Sequence, residues 1–173
     1  IRDMSGVEHF NETHFESAFV PDDAVLGAVG EGWKQVTSEL ALERSGPERF
    51  LSTFIVLEKA MQHSAAGMNG HQAAVFGSIL ARIRALRAMS LGVAALLDQG
   101  HSPEIEAALV KDLGTRLEQD IIERLREFWP IQMKQGYGDE FQSLMSDSLL
   151  RQPSFTLRGG TNEVLKNIIA RGM

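Results

Sequence analysis

The sequence predicts a mainly all-α protein, an antiparallel four-helix bundle preceded by a short β/loop segment. Three observations predict it. From Trp33 onward, apolar residues recur at helical spacing. Clusters of Gly and Pro cut that pattern into segments with short links, and antiparallel helices on short links pack as a bundle. Residues 1–30 lack the pattern and carry scattered aromatics among polar residues.

In that first stretch, Phe10, Phe15, Phe19 and Val20 precede the turn signal Pro21-Asp22-Asp23. They read as one or two short strands, followed by a loop through Gly27, Gly30 and Gly32. Strands so few do not make a stable sheet alone. They require partners from another part of a longer chain or from another molecule.

The next pattern is the longest. Val36, Leu40, Glu43, Pro47, Phe50, Phe54, Leu57 and Met61 follow at alternating steps of 4 and 3. At about 100° per residue they share an arc of roughly 100°. This predicts one long helix or two nearly collinear ones, with Ser45-Gly46-Pro47 either kinking it or restarting it with Ser45 as N-cap. The glycines Gly67 and Gly70 end it. A second helix spans about 72–97, with Phe76, Leu80, Ile83, Leu86, Val93 and Leu97 inward, and stops at Gln99-Gly100. A third opens with Ser102 as N-cap, Pro103 in the first turn and Glu104 at the positive end. Its row Leu109, Leu113, Leu117, Ile121, Leu125 steps by 4 and drifts about 40° per step, so this helix meets more than one neighbour. Pro130 ends it. Asp139 with Gln142 opens a shorter helix to about Leu150, broken by Gln152-Pro153, and a last helix covers about 162–170.

Composition narrows the function. A chain of 173 residues suits one domain, and its lack of cysteine excludes disulfides, Cys-ligated metal sites and a thiol nucleophile. Seventeen Lys+Arg against 23 Asp+Glu give a net charge of −6, which argues against nucleic acid or an anionic membrane as partner. The longest nearly apolar run, residues 89–97, is far short of the ~20 residues of a membrane span. No signal peptide is visible, and the chain opens on Ile1 as though within a longer protein. No Glu-x-x-His or His-Glu-x-x-His pair occurs, and the five histidines scatter near loops and helix ends.

Three stretches could carry chemistry. Glu43 interrupts an apolar stripe, and a buried carboxylate with a raised pKa suits a general base for a weak carbon acid. The plain alternatives are an ion pair with an arginine such as Arg44 or Arg49, or a side chain turned to solvent by a helix irregularity at Ser45-Gly46-Pro47. The run Arg158-Gly159-Gly160-Thr161-Asn162-Glu163 pairs two permissive glycines with a cap for the last helix, either as a ligand loop or as a tight turn. Residues 131–138 form a glycine-bearing connector, and Arg82, Arg84 and Arg87 form a solvated face or a contact for a CoA phosphate.

Together these stretches resemble the C-terminal part of the acyl-CoA dehydrogenases. Phe10-Asn11-Glu12 through Pro21 and Gly30-Glu31-Gly32-Trp33 resembles the end of that family's middle β domain. Leu42-Glu43-Arg44 resembles the start of its first long C-terminal helix, and Gly159-Gly160-Thr161-Asn162-Glu163-Val164 with Asn167-Ile168-Ile169-Ala170 its closing signature. The resemblance implies that residues 1–30 are the tail of the β domain and 31–173 the C-terminal bundle. It implies FAD-dependent α,β-dehydrogenation of an acyl-CoA. Many members carry their catalytic glutamate immediately before the closing Gly-Thr, where this chain has Gly159. A minority, of isovaleryl and long-chain type, carry it in a Leu-Glu-Arg context, here Glu43. The resemblance further assigns Gly160, Thr161 and Glu163 to FAD, and Gln132 and Gly136 to FAD of a neighbouring subunit. The family's Arg-x-x-Phe-Gly stretch, which grips the FAD diphosphate, is replaced by Ala66-Gly67-Met68-Asn69-Gly70-His71-Gln72. Expected partners are an electron-transfer flavoprotein or similar acceptor and further subunits in a homo- or hetero-oligomer. The expected location is cytoplasmic. A non-catalytic bundle subunit of a heteromeric complex is the alternative.

Overall fold

The computed structural model describes residues 1–131 and 140–172. Six α-helices form among them: α1 (Gly32–Ser45), α2 (Phe54–Ser64), α3 (Gly70–Asp98), α4 (Glu104–Phe128), α5 (Glu140–Arg151) and α6 (Asn162–Gly172). Short 3-10 turns lie at Asp22–Ala24, Pro47–Arg49 and Gln152–Thr156. The bundle is as expected, and no described helix is long and apolar enough to cross a membrane.

The central element is α4, which touches α1, α2, α3, α5 and α6. The predicted drift of its apolar row has this consequence. Leu117, Ile121 and Leu125 are fully buried, while Leu113, one step before Leu117, faces out. Around them Leu57, Ile79, Leu86, Ile122, Phe141 and Met145 complete one core. Each such side chain contributes about 1.5–3 kcal/mol by leaving water.

The start of the chain departs from expectation. The expected strands do not form among the described residues; one isolated antiparallel bridge joins Arg2 to Glu8. Phe10, Phe15 and Phe19 stay exposed. The cause is the one stated above: so short a β segment has no sheet to join.

The long stripe is also corrected. Gly46 is extended (φ −64°, ψ 157°), because the residue before a proline is driven out of the helical region. Two helices therefore form, and Ser45 closes α1 rather than capping α2. Its hydroxyl donates to the Ala41 carbonyl at 2.8 Å, and its own carbonyl accepts the Ser90 hydroxyl at 2.6 Å. Each helix turns its own face inward. In α1 that face is Ala41, Arg44 and Ser45, so Val36 and Glu43 are exposed instead of inward.

Smaller differences follow the same logic. In α3 the buried residue is Ile79, whereas Leu80 is exposed. The start of α3 is a reciprocal cap: Asn69 Oδ1 accepts the Gln72 N–H at 2.9 Å, and Gln72 Oε1 accepts the Asn69 N–H at 3.1 Å. Ser102 makes no side-chain cap for α4, which begins at Glu104 behind Pro103. The predicted capping residue Asp139 lies outside the described residues.

Gly114 lets α4 pass close to the Pro47–Arg49 turn. A Cβ there would run into the Arg49 carbonyl oxygen, a main-chain atom that cannot swing aside. Gly92, on the exposed face of α3, has nothing near its would-be Cβ. Gly114→Ala should therefore cost about 1–3 kcal/mol in chemical denaturation. Gly92→Ala should stabilise by about 0.5–1 kcal/mol, through helix propensity.

Candidate functional site

The last turn of α1 meets the loop before α6. Arg49 turns back from the Pro47–Arg49 turn, its side chain only 9% exposed. Its Nη2 donates to Glu43 Oε1 at 2.7 Å and its Nε to the Glu43 carbonyl at 2.8 Å. Of the readings open for Glu43, the ion pair with Arg49 forms, and the break at Gly46 also leaves the side chain turned to solvent. The side chain is 45% exposed, so the expected burial is absent here. Oε2 has no partner among the described residues.

Across from it, Arg44 donates through Nε to the Gly159 carbonyl at 2.9 Å. Burial lowers the pKa of this guanidinium, and the neighbouring Glu43 acts against that shift. Gly159 (φ +64°) and Gly160 (φ +101°) both lie in the left-handed region. A Cβ on Gly159 would sit 3.4 Å from Glu43 Oε1. A Cβ on Gly160 would sit 3.5 Å from Arg44 Nη2. Residues 115 positions apart in the chain thus form one patch.

The loop then enters α6. Thr161 accepts the Val164 N–H on its hydroxyl at 3.3 Å, and its carbonyl accepts the Leu165 N–H at 3.0 Å. The exposed Glu163 is held below the usual carboxylate range by its own backbone N–H, then by the Thr161 hydroxyl. Four sequence-predicted residues, Glu43, Gly160, Thr161 and Glu163, therefore share one end of the bundle. Gln132 and Gly136 lie outside the described residues.

What sequence reasoning missed lies beneath this loop. Lys111 and Glu118 on α4 have no exposed surface. Lys111 Nζ donates to the Phe155 carbonyl at 3.0 Å and to Asn162 Oδ1 at 3.2 Å. Glu118 Oε1 accepts the Ser52 N–H at 2.7 Å, and Oε2 accepts Arg158 Nη2 at 2.5 Å. Burial pushes the Glu118 carboxyl up, against the pull of Arg158. Burial, then repulsion from Arg158 and Arg49, lowers Lys111 from 10.5 to about 8. A signal existed: Lys111 and Glu118 are seven apart, two turns of a helix already expected to meet several neighbours.

A family description, "Acyl-CoA dehydrogenase, C-terminal domain", matches residues 30–173. Acyl-CoA dehydrogenase FadE34 of Mycobacterium tuberculosis is 26% identical over 98% of this chain and 23% of its own length. The very long-chain specific acyl-CoA dehydrogenases of rat and cattle mitochondria are each 28% identical over 92% of this chain and 25% of theirs. The chain thus spans about a quarter of the length of these relatives. Among solved structures, "Tcur3481-Tcur3483 steroid ACAD G363A variant" superposes with a TM-score of 0.75 at 20% identity, over 89% of this chain and 43% of that one. At that identity the likeness is one of fold.

The depressed pKa of Lys111 sets a pH dependence. Between about 8 and 10.5 the unfolded chain binds this proton and the folded one does not, so this group adds stability as pH rises. The contribution is complete above 10.5 and is lost as pH falls through about 8. Thermal unfolding should show the unaltered protein gaining on Lys111→Met across that window. A constant difference would contradict it.

Proposed function

This chain belongs to the acyl-CoA dehydrogenase family, and from that membership we propose that it supplies the C-terminal bundle of an FAD-dependent acyl-CoA dehydrogenase with Glu43 as general base. Residues 1–30 are then the tail of the middle β domain and 31–173 the bundle. The observation that carries the reading is the 3.4 Å between Glu43 Oε1 and a Cβ on Gly159. The two places from which the resemblance supplies a catalytic carboxylate are neighbours in space. One is glycine and the other is glutamate.

Arg49 takes Oε1 and the Glu43 carbonyl, which limits how far the carboxylate swings. Oε2 accepts the α proton of the thioester. Proton transfer to a positioned carboxylate is worth about 10²–10⁴-fold. The half-exposed Glu43 needs a second wall to exclude water, and the bundle alone presents one wall, so the isolated part is inactive.

The residues at the start of α6 fit the flavin and adenosine end of FAD. Gly160 has no side chain to obstruct a close approach, the Thr161 hydroxyl is held between the Val164 N–H and the Glu163 carboxylate, and Glu163 is ionised and exposed. When bound, FAD accepts the β hydride. The diphosphate end is less well served. Residues 65–69, between α2 and α3, contain no arginine, which forgoes a charge-assisted contact of about 1.5–3 kcal/mol. Acyl-CoA, an electron-transfer flavoprotein or similar acceptor, further subunits and a cytoplasmic location belong to the same proposal.

A second reading, a non-catalytic bundle subunit of a heteromeric complex, is favoured by the altered connection between α2 and α3 and by the Arg49 pair that already holds Glu43 Oε1. Flavin absorbance in the purified complex separates the two: the catalytic reading requires it. In the full-length or reconstituted enzyme, Glu43→Gln should slow bleaching of the flavin by acyl-CoA about 10²–10⁴-fold. Undiminished bleaching would remove Glu43 from the mechanism.

A further inference from the structure

Glu118 is enclosed on α4, and both of its oxygens are engaged by segments from elsewhere in the chain. Oε1 takes the Ser52 N–H and Oε2 takes Arg158 Nη2. Arg158 Nη1 closes the ring by donating to Ser52 Oγ at 2.9 Å. The guanidinium also lies 4.3 Å from the centre of the Phe155 ring. One carboxylate thus ties together α4, the chain after the Pro47–Arg49 turn, and the loop before α6.

Each tied segment carries half of the candidate site. Arg49, which grips Glu43, is just ahead of Ser52 in the chain. Gly159, which faces the Glu43 carboxylate, adjoins Arg158. No covalent path of fewer than about a hundred residues connects these halves, so their separation is set by two non-covalent ties, the direct Arg44–Gly159 hydrogen bond and the attachment of both halves to Glu118. Charge-assisted hydrogen bonds are short and directional, and Glu118 makes one to each half or to its neighbour.

We propose that Glu118 is a positioning residue for the dehydrogenation, its clamp on Ser52 and Arg158 setting the distance between the Glu43 carboxylate and the Gly159-Gly160-Thr161 loop. Glu118 touches neither Glu43 nor the loop glycines and acts through Arg158 and the Ser52 segment. The proposal rests on Glu43 being the base. A misplacement of about 1 Å costs on the order of 100-fold in a reaction that depends on aligned atoms.

The test compares Glu43→Gln, Glu118→Gln and the double variant Glu118→Gln/Arg158→Met in the full-length or reconstituted enzyme. Three readouts are taken: single-turnover flavin bleaching against acyl-CoA concentration, melting temperature, and amide hydrogen exchange of residues 157–161 in cofactor-free protein. The double variant removes the cation that Glu118→Gln leaves uncompensated, so it separates stability from placement. Glu118→Gln should slow saturated bleaching about 10- to 100-fold with half-saturation within about twofold. The double variant should regain melting temperature without regaining rate, and its loop should exchange faster than in the unaltered protein. A double variant that bleaches within about threefold of the unaltered enzyme overturns the clamp. So does unchanged loop exchange. If Glu43→Gln slows bleaching while Glu118→Gln does not, the clamp falls and the base stands; if Glu43→Gln has no effect, both fall.

Discussion

One buried carboxylate organises the site end of this bundle. Glu118 has no exposed surface, so it must be satisfied from within the protein. It is satisfied by a backbone N–H from one segment and a guanidinium from another, and its own helix is the central one. Removing the guanidinium would leave the buried carboxylate uncompensated, at a cost on the order of 3 kcal/mol. That penalty holds the two segments to α4 more firmly than apolar packing would, because packing tolerates small slides and a hydrogen-bonded ion pair does not. Lys111, two turns earlier, does the same for the start of α6 through the Phe155 carbonyl and Asn162.

The helices were legible because their residues obey one period over many turns. The row from Leu109 to Leu125 predicted multiple neighbours, which α4 has, while burial is complete only from Leu117 on. Where the period was carried across a break it misled. Running one stripe through Gly46-Pro47 put Glu43 on an inward face, but the extended Gly46 resets the phase, and α1 turns Ala41 and Arg44 inward instead. Ile79 displacing Leu80 is a one-residue error in rotation, the kind a pattern of similar side chains cannot resolve. The Asn69 and Gln72 cap went unread, although its residues stand at the spacing such a cap needs. The strands expected before residue 30 are different in kind. A strand is completed by its neighbours, and its residues alone do not create them.

The candidate site was legible as a set of residues and illegible as a geometry. Gly160, Thr161 and Glu163 are adjacent in sequence, so their grouping was certain once α6 began at Asn162. That Glu43 would lie against Gly159 depends on Arg44 reaching the Gly159 carbonyl, a contact that no spacing encodes. The polar layer under the loop was hidden for a related reason. On a helix with one buried face, Lys111 and Glu118 would read as solvated; on a helix enclosed on several sides they become buried partners.

The geometry also bears on why a single carboxylate can serve this patch. Gly159 is held at φ +64°, where a residue with a Cβ costs about 1–2 kcal/mol. A glutamate there would start 3.4 Å from the Glu43 carboxylate, and two carboxylates sharing one site resist being ionised together. Glutamate at one position therefore disfavours glutamate at the other. Arg44 is fastened to the Gly159 carbonyl, while Arg49 is fastened to Glu43 by both side chain and main chain. In this chain the loop supplies the close backbone approach and the helix supplies the charge.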